Sequence, residues 1–414
     1  MTRLACGVFL CAVVTAAAVE TTAQPPAAYT AREESLGRAA LEAKDTIFTG
    51  DAEHGWSLFR EKRCIRCHAV WGEGGDIGPD LGRTRTLGHI NAGQLAGVMW
   101  NHVPRMWEKM DEGGIRLTPI APKEMSDLFA LLLFIRYADE PGDQAEGKRV
   151  LAKQGCDRCH SIDEKGGTVG PDLAKWARFV NPVVWAQKMW THAPKMKDTM
   201  AAMGMAWPEF SGNDLINIVA YIRSRAVGEI KEYLEPGSIE RGQRLFQERG
   251  CGSCHTLGEN GGIGPDLQAI HLPDTLSGIA SQMWNHAPEM LQEVRKRGDD
   301  RNAVKDLEPQ EMADVITFVL ARRYFFADGD AKEGSKIFFS KQCVACHGIN
   351  EWGGHVGPRL DPIAGNASAI LMAHAMWRYG PEMLTQMAER GIPWPHFEGS
   401  EMNDLMAFLN EETR

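Results

Sequence analysis

The chain has 414 residues, a formal net charge of −10, 43% hydrophobic residues and 24% charged residues. That balance is globular, which excludes a disordered or fibrous chain, and the length allows several domains. The acidic surplus is interspersed and argues against a nucleic-acid partner. No stretch beyond the first residues approaches eighteen consecutive apolar positions, so no transmembrane helix is expected in the mature chain.

Residues 1–23 read as a signal peptide. Arg3 supplies the positive charge, Leu4 to Ala18 is a short apolar run, and Thr21-Thr22-Ala23 offers small residues before a cut near Gln24. The run is short for a bilayer, which disfavours the alternative of an uncleaved anchor. Export places the expected mature protein in the periplasm. Residues 24–50 form a leader or linker, with a helix expected over Ala31 to Lys44.

The pattern Cys-x-x-Cys-His then occurs four times. It begins at Cys64, Cys156, Cys251 and Cys343 and ends at His68, His160, His255 and His347. Eight of the ten cysteines belong to it; Cys6 and Cys11 lie in the first segment. A zinc site would need a second ligand pair close by, but the next pair is a whole domain away. A histidine directly after each pair is instead the attachment signature of c-type haem. Cys64, Cys67, Cys156, Cys159, Cys251, Cys254, Cys343 and Cys346 are expected to hold four covalent haem c groups by thioether bonds. His68, His160, His255 and His347 become the fifth iron ligands.

The motif histidines are spaced by 92, 95 and 92 residues, so the period is a whole small domain. Units are expected at 51–140, 141–230, 231–327 and 328–414. Each opens with a short helix after a glycine (Gly55, Gly147, Gly242, Gly334). The haem motif follows, then a loop ending in Gly-Pro at Pro79, Pro171, Pro265 and Pro358, and then a helical stretch around a Met-Trp pair. Each closes with an amphipathic helix: Glu124 to Tyr137, Asp214 to Arg225, Glu311 to Tyr324 and Glu401 to Glu411. No alternating strand pattern stands out, and the fold class expected is all-α. The joints are short and polar, so neighbouring units should touch.

This order resembles the class I cytochrome c domain, four times over. The resemblance implies crossed first and last helices with an aromatic contact, matched by Tyr221, Phe318 and Phe408, with Leu131 in the first unit. It also implies that the carbonyls of Pro79, Pro171, Pro265 and Pro358 hold the ligating histidines by their second ring nitrogen.

The sixth ligand departs from the family pattern, in which a methionine precedes the closing helix. Only Met205 stands near that place; Ile115 and Ile392 occupy it in units one and four, and unit three has no equivalent. Every unit instead carries Met-Trp-x-His/Tyr-x-Pro-x-Met. Met99, His102 and Met106 fall on one helical face, and Pro104 is expected to bend the helix or start a new one. Met106, Met196, Met290 and Met383 occur after Pro-x in all units and are expected to be the sixth ligands. His102, His192 and His286 are the rivals, with Tyr379 as their fourth counterpart. Trp100, Trp190, Trp284 and Trp377 are expected to wall the haem pockets.

Six-coordinate haems have no vacant site for a substrate. The expected function is therefore electron relay between redox partners, which are redox proteins with a basic patch or a membrane respiratory complex. The alternatives are a peroxidase-like or thiosulfate-oxidising-like enzyme with one open haem, flagged by Tyr379 and Gly380 in unit four, or a haem subunit of a larger respiratory complex.

Overall fold

The computed structural model describes residues 27–46, 50–82, 90–137, 142–176, 182–225, 237–258, 262–270, 272–273, 275–297, 307–325, 328–350 and 352–411. The expected signal peptide lies outside the described residues, as does the start of the leader. The leader helix α1 spans Ala27–Thr46, longer than expected.

Each unit then repeats three helices. These are α2 (Ala52–Glu61), α3 (Ala92–Glu112) and α4 (Pro122–Tyr137) in unit 1, and α5 (Gln144–Lys153), α6 (Pro182–Ala202) and α7 (Asp214–Arg223) in unit 2. Unit 3 has α8 (Ile239–Glu248), α9 (Leu276–Lys296) and α10 (Pro309–Phe325), and unit 4 has α11 (Ala331–Ser340), α12 (Ala369–Glu389) and α13 (Glu401–Glu411). The only strands among the described residues are two-residue antiparallel pairs just after the haem motif in units 1, 2 and 4. They are too short to show as an alternating pattern.

The first helix of every unit packs closely on the last. The glycine opening each unit makes this possible: a Cβ at Gly55, Gly147, Gly242 or Gly334 would run into the carbonyl oxygen of Asp127, Asn217, Asp314 or Asp404. A clamp repeats beside it. Asp51, Asp143, Ser238 and Asp330 cap the first helices with their side chains. Their own amides donate to the side chains of Asp127, Asn217, Asp314 and Asp404 at 2.7–2.8 Å. Phe246 meets Phe318 edge-on at 5.6 Å, and Phe338 meets Phe408 at 5.5 Å, at the expected aromatic contacts.

The units do not simply pack in sequence order. The Met-Trp helix α3 of unit 1 packs on α12 of unit 4, and α6 of unit 2 packs on α9 of unit 3. Units 1 and 3 also meet, around a cavity of about 30 Å³ lined by Ala130 and Leu133 on one side and Ile239 and Leu320 on the other. The extensive contacts therefore run 4–1–3–2. Helix α1 lies across units 1 and 4, against α4, α12 and the turn Asp361–Ile363. It buries Leu36, Ala39, Ala40 and Ala43. Among the described residues no helix is long and apolar enough to cross a membrane.

The helices around the Met-Trp pairs run unbroken through Pro104, Pro194, Pro288 and Pro381, so no new helix starts at the proline. A helix proline releases the carbonyl four residues back. Two of those released carbonyls have a new use. Trp394 Nε1 donates to the Trp100 carbonyl at 2.9 Å, and Trp207 Nε1 donates to the Trp284 carbonyl at 3.2 Å. Beside them Asn101 bonds both the amide and the carbonyl of Phe397, and Asn285 does the same for Phe210. Pairs 1–4 and 3–2 are thus built on one plan.

Candidate haem sites

In each unit the two motif cysteines sit on one tight turn. The residue before the first cysteine is left-handed (Arg63 φ 66°, Gly155 φ 71°, Gly250 φ 79°, Gln342 φ 60°), which swings the chain into the 3₁₀ turn that follows. The amide of the motif histidine then bonds the carbonyl of the first cysteine at 2.9–3.0 Å. This stacks both thiols and the imidazole on one local frame. No disulfide joins any of these eight cysteines, which leaves them to haem attachment. Burial pushes those of Cys64, Cys156, Cys251 and Cys343 up to about 11, so they stay protonated at neutral pH.

The second ring nitrogen of every motif histidine is taken. Nδ1 donates to the Pro79 carbonyl in His68 (3.1 Å), to Pro171 in His160 (3.0 Å), to Pro265 in His255 (3.0 Å) and to Pro358 in His347 (2.8 Å). That tautomer presents Nε2 as the metal-binding nitrogen. Burial also lowers the His347 ring below the ordinary histidine range, which keeps it neutral and able to ligate.

Carboxylates that sequence reasoning passed over hold the Gly-Pro loops. Asp80 accepts from the amides of Trp71, Gly72 and Gly82, Asp172 from those of Glu164 and Ala174, and Asp266 from those of Gly258 and Gln268. The Gly258 amide helps to hold the Asp266 carboxyl below the usual range. Unit 4 has Arg359 at this position, and Asp361 takes over by accepting from the Asn350 amide at 2.6 Å. The recurring Gly-Pro-Asp was the signal that could have found them.

The cytochrome c family model matches residues 144–226, 239–322 and 331–412, which fall on units 2, 3 and 4. The chain belongs to the cytochrome c family. It is similar to the cytochrome c of Cochliobolus lunatus, 32% identical over 103 residues that cover 20% of this chain and 91% of that protein. No solved structure matches significantly. The protein is therefore a haem-binding, multihaem c-type cytochrome of tandem all-α domains, with haem c bound covalently in several of them.

The clefts fit that group. Cys343, Cys346 and His347 open onto one largely apolar cleft, and Cys156, Cys159 and His160 onto another. The face of α12 towards the first carries Met372, Met376, Tyr379, Met383 and Met387; the face of α6 towards the second carries Met189, His192, Met196 and Met200. Met205 and Ile392 reach the same clefts from the following loops. The structure thus brings Met196 and Met383 to the haem space together with several other sulfurs. Met106 and Met290 are half-buried at the equivalent helical positions. His102, His192 and His286 each donate Nδ1 back to their own helix, at the carbonyls of Val98, Lys188 and Gln282.

Trp100 of unit 1 lines the unit 4 cleft, and Trp284 of unit 3 lines the unit 2 cleft, so each walls a haem cleft of the facing unit. The interdomain docking on freed carbonyls puts them there. Gly380, read as a mark of an unusual haem, has a packing cause. A Cβ there would collide with the Trp107 ring of unit 1.

Proposed function

We propose that this is an exported tetrahaem electron carrier, with one haem c in each of the units 51–140, 141–230, 231–327 and 328–414. The observation that carries the reading is the fourfold recurrence of one local geometry: paired cysteines on a 3₁₀ turn, and a histidine whose Nδ1 is tied to a proline carbonyl. Unit 1 has it in full, although the family match begins at residue 144. A haem held there supplies a one-electron couple. The chain's part is to fix the imidazole, exclude water and hold the iron environment constant between oxidation states.

Met106, Met196, Met290 and Met383 are proposed as the sixth ligands. They recur in every unit, whereas histidine cannot: its fourth counterpart, Tyr379, is hydrogen-bonded to Ser35 at 3.2 Å. Methionine ligation favours the ferrous state relative to a second histidine and gives relatively high potentials. With Gly380 explained by Trp107, the sequence ground for a catalytic haem in unit 4 is weakened. The acidic surface suits redox partners with basic patches, free in the periplasm or part of a membrane respiratory complex.

The test is a haem count with a spectroscopic redox titration of the secreted holoprotein. Four haems per chain, low-spin in both oxidation states and slow to bind carbon monoxide, are expected. Methionine-to-alanine changes at 106, 196, 290 and 383 should each turn one haem high-spin; four irons still low-spin would refute the ligand assignment.

A further inference from the structure

The row 4–1–3–2 leaves units 2 and 4 at its two ends, and their charges differ in sign. Unit 2, residues 141–230, has twelve Lys and Arg against ten Asp and Glu. Unit 4, residues 328–414, has seven against twelve, and units 1 and 3 are also net acidic. The acidic surplus of the whole chain therefore conceals one basic end.

The contrast is sharpest beside the clefts. In unit 2 the residue between the helix proline and the methionine is Lys195, exposed on the cleft wall. Arg158, inside the haem motif, lies over Gly155 of the same wall, where a Cβ would meet its Nε at 3.4 Å. Neither cation has an ion-pair partner among the described residues. Val169, 62% exposed, lines the same cleft. In unit 4 the two charged positions hold Glu382 and Ala345, and Glu382 is tied to Arg32 of α1. Unit 3 has Glu289 and Ser253 there. Unit 1 does have Arg105 and Arg66, but it is an inner unit of the row and net acidic.

The walls differ too. Helix α1 puts Arg32 and Leu36 on the unit 4 cleft. The unit 2 cleft is lined, among the described residues, by unit 2 itself and Trp284. Unpaired cations with an exposed apolar residue, at the free end of the row, suit a negatively charged protein. The cations steer its approach, and the apolar residue sheds water on contact.

We propose that the mouth of the unit 2 cleft is the docking surface for an acidic redox protein, opposite in charge to the partner that the rest of the surface suits. This deepens the electron-carrier reading and rests on unit 2 holding a haem. One electron crosses at this surface, lost by the reduced partner and gained by the ferric haem, or the reverse when the haem is the donor. With unlike ends, the carrier can serve two partners of opposite charge without their competing for one surface.

The test uses the full-length holoprotein after a haem count. A chain without the unit 2 haem would sink the four-haem reading and not the docking surface, which the first measurement reads without electron transfer. Hexacyanochromate(III), a paramagnetic trianion, should broaden the amide signals around Arg158, Val169 and Lys195 most, and added salt should reverse the effect. Strongest broadening anywhere else, Arg66 and Arg105 of unit 1 included, would overturn the proposal. Reduced plant-type ferredoxin then serves as an acidic protein donor in stopped flow. Its second-order rate of haem reduction should fall as salt rises, and the double variant Arg158→Glu with Lys195→Glu should slow it severalfold. Lys332→Glu with Lys336→Glu makes the same change of net charge at unit 4 and should leave the rate nearly as it was. Equal slowing by the two double variants would mean that net charge alone acts, and the docking surface would be refuted.

Discussion

The two domain pairs are near copies that differ at a few positions, and those positions show what each half has been adjusted to do. In pair 2–3, Gln187 of α6 donates to the Leu307 carbonyl across the interface. In pair 1–4 the same place is held by His374, 5% exposed, whose Nδ1 donates to the Ile120 carbonyl at 2.7 Å. Pair 2–3 has Ala193 where pair 1–4 has Gly380 under the Trp107 ring. Only pair 1–4 is crossed by α1, through Arg32 to Glu382, Ser35 to Tyr379, and Glu33 to the Arg359 amide at 3.1 Å. The shared docking of a tryptophan indole and an asparagine sets the geometry. The differences add a strap, a large aromatic and a titratable group to one half only.

Four tests can break or sharpen that contrast. Deleting residues 27–46 should have the largest effect. It uncovers the sites of Leu36, Ala39, Ala40 and Ala43 and should cost pair 1–4 about 4 kcal/mol while leaving pair 2–3 alone. Hydrogen exchange resolved by helix would show protection falling in α4 and α12 and not in α6 and α9; uniform loss would mean the pairs are not independent. Gly380→Ala should cost about 1–3 kcal/mol by forcing a methyl against Trp107, with Trp107→Leu restoring much of it in the double variant. Additive costs in that cycle would remove Trp107 as the reason for the glycine.

Asn101→Ala and Asn285→Ala should each cost about 2 kcal/mol, because each leaves an amide and a carbonyl of the facing loop unpaired. Unequal denaturation shifts would show that the common plan is not equally used. The smallest effect concerns acid. Burial holds the His374 ring below its ordinary value of 6.5, so the unfolded chain takes up that proton first. The stability due to neutral His374 is complete above about pH 6.5 and is lost as pH falls towards the folded value. Exchange across α3 and α12 should therefore speed up on acidification relative to α6 and α9. His374→Gln, copying Gln187, should remove that difference.

Within a unit, most of this was legible. The Cys-x-x-Cys-His pattern, the opening glycine, the Gly-Pro loop and the closing helix each express a local constraint, and local constraints leave fixed spacings. The recurring glycine marks where the first helix must approach the last, as Gly334 does at the Asp404 carbonyl. What stayed hidden was pairing between units, because an interface is written in residues that look like ordinary surface. Asn101 reads as a polar helix position until Phe397 is beside it. A signal was present: units 1 and 3 carry Trp-Asn, whereas units 2 and 4 carry Trp-Pro-x-Phe at 207–210 and 394–397. The alternation says that odd units dock on even ones, though not which. The sixth ligand was harder for another reason. A haem-facing helix lined by Met189, Met196 and Met200 gives the same periodicity whether a sulfur binds iron or packs beside it.

The order 4–1–3–2 also sets a timetable for assembly. Trp284 meets Trp207 across 77 residues of chain, so units 2 and 3 can dock as soon as the second of them has been made. Trp100 must await Trp394, 294 residues later. Unit 1 is made before units 2, 3 and 4 yet is sealed only when unit 4 arrives, and until then its Asn101 and the freed carbonyl of Trp100 stay uncovered. A chain truncated before residue 394 would still pair units 2 and 3 and seat unit 1 on unit 3, but would leave Asn101 and the Trp100 carbonyl without Phe397 and Trp394.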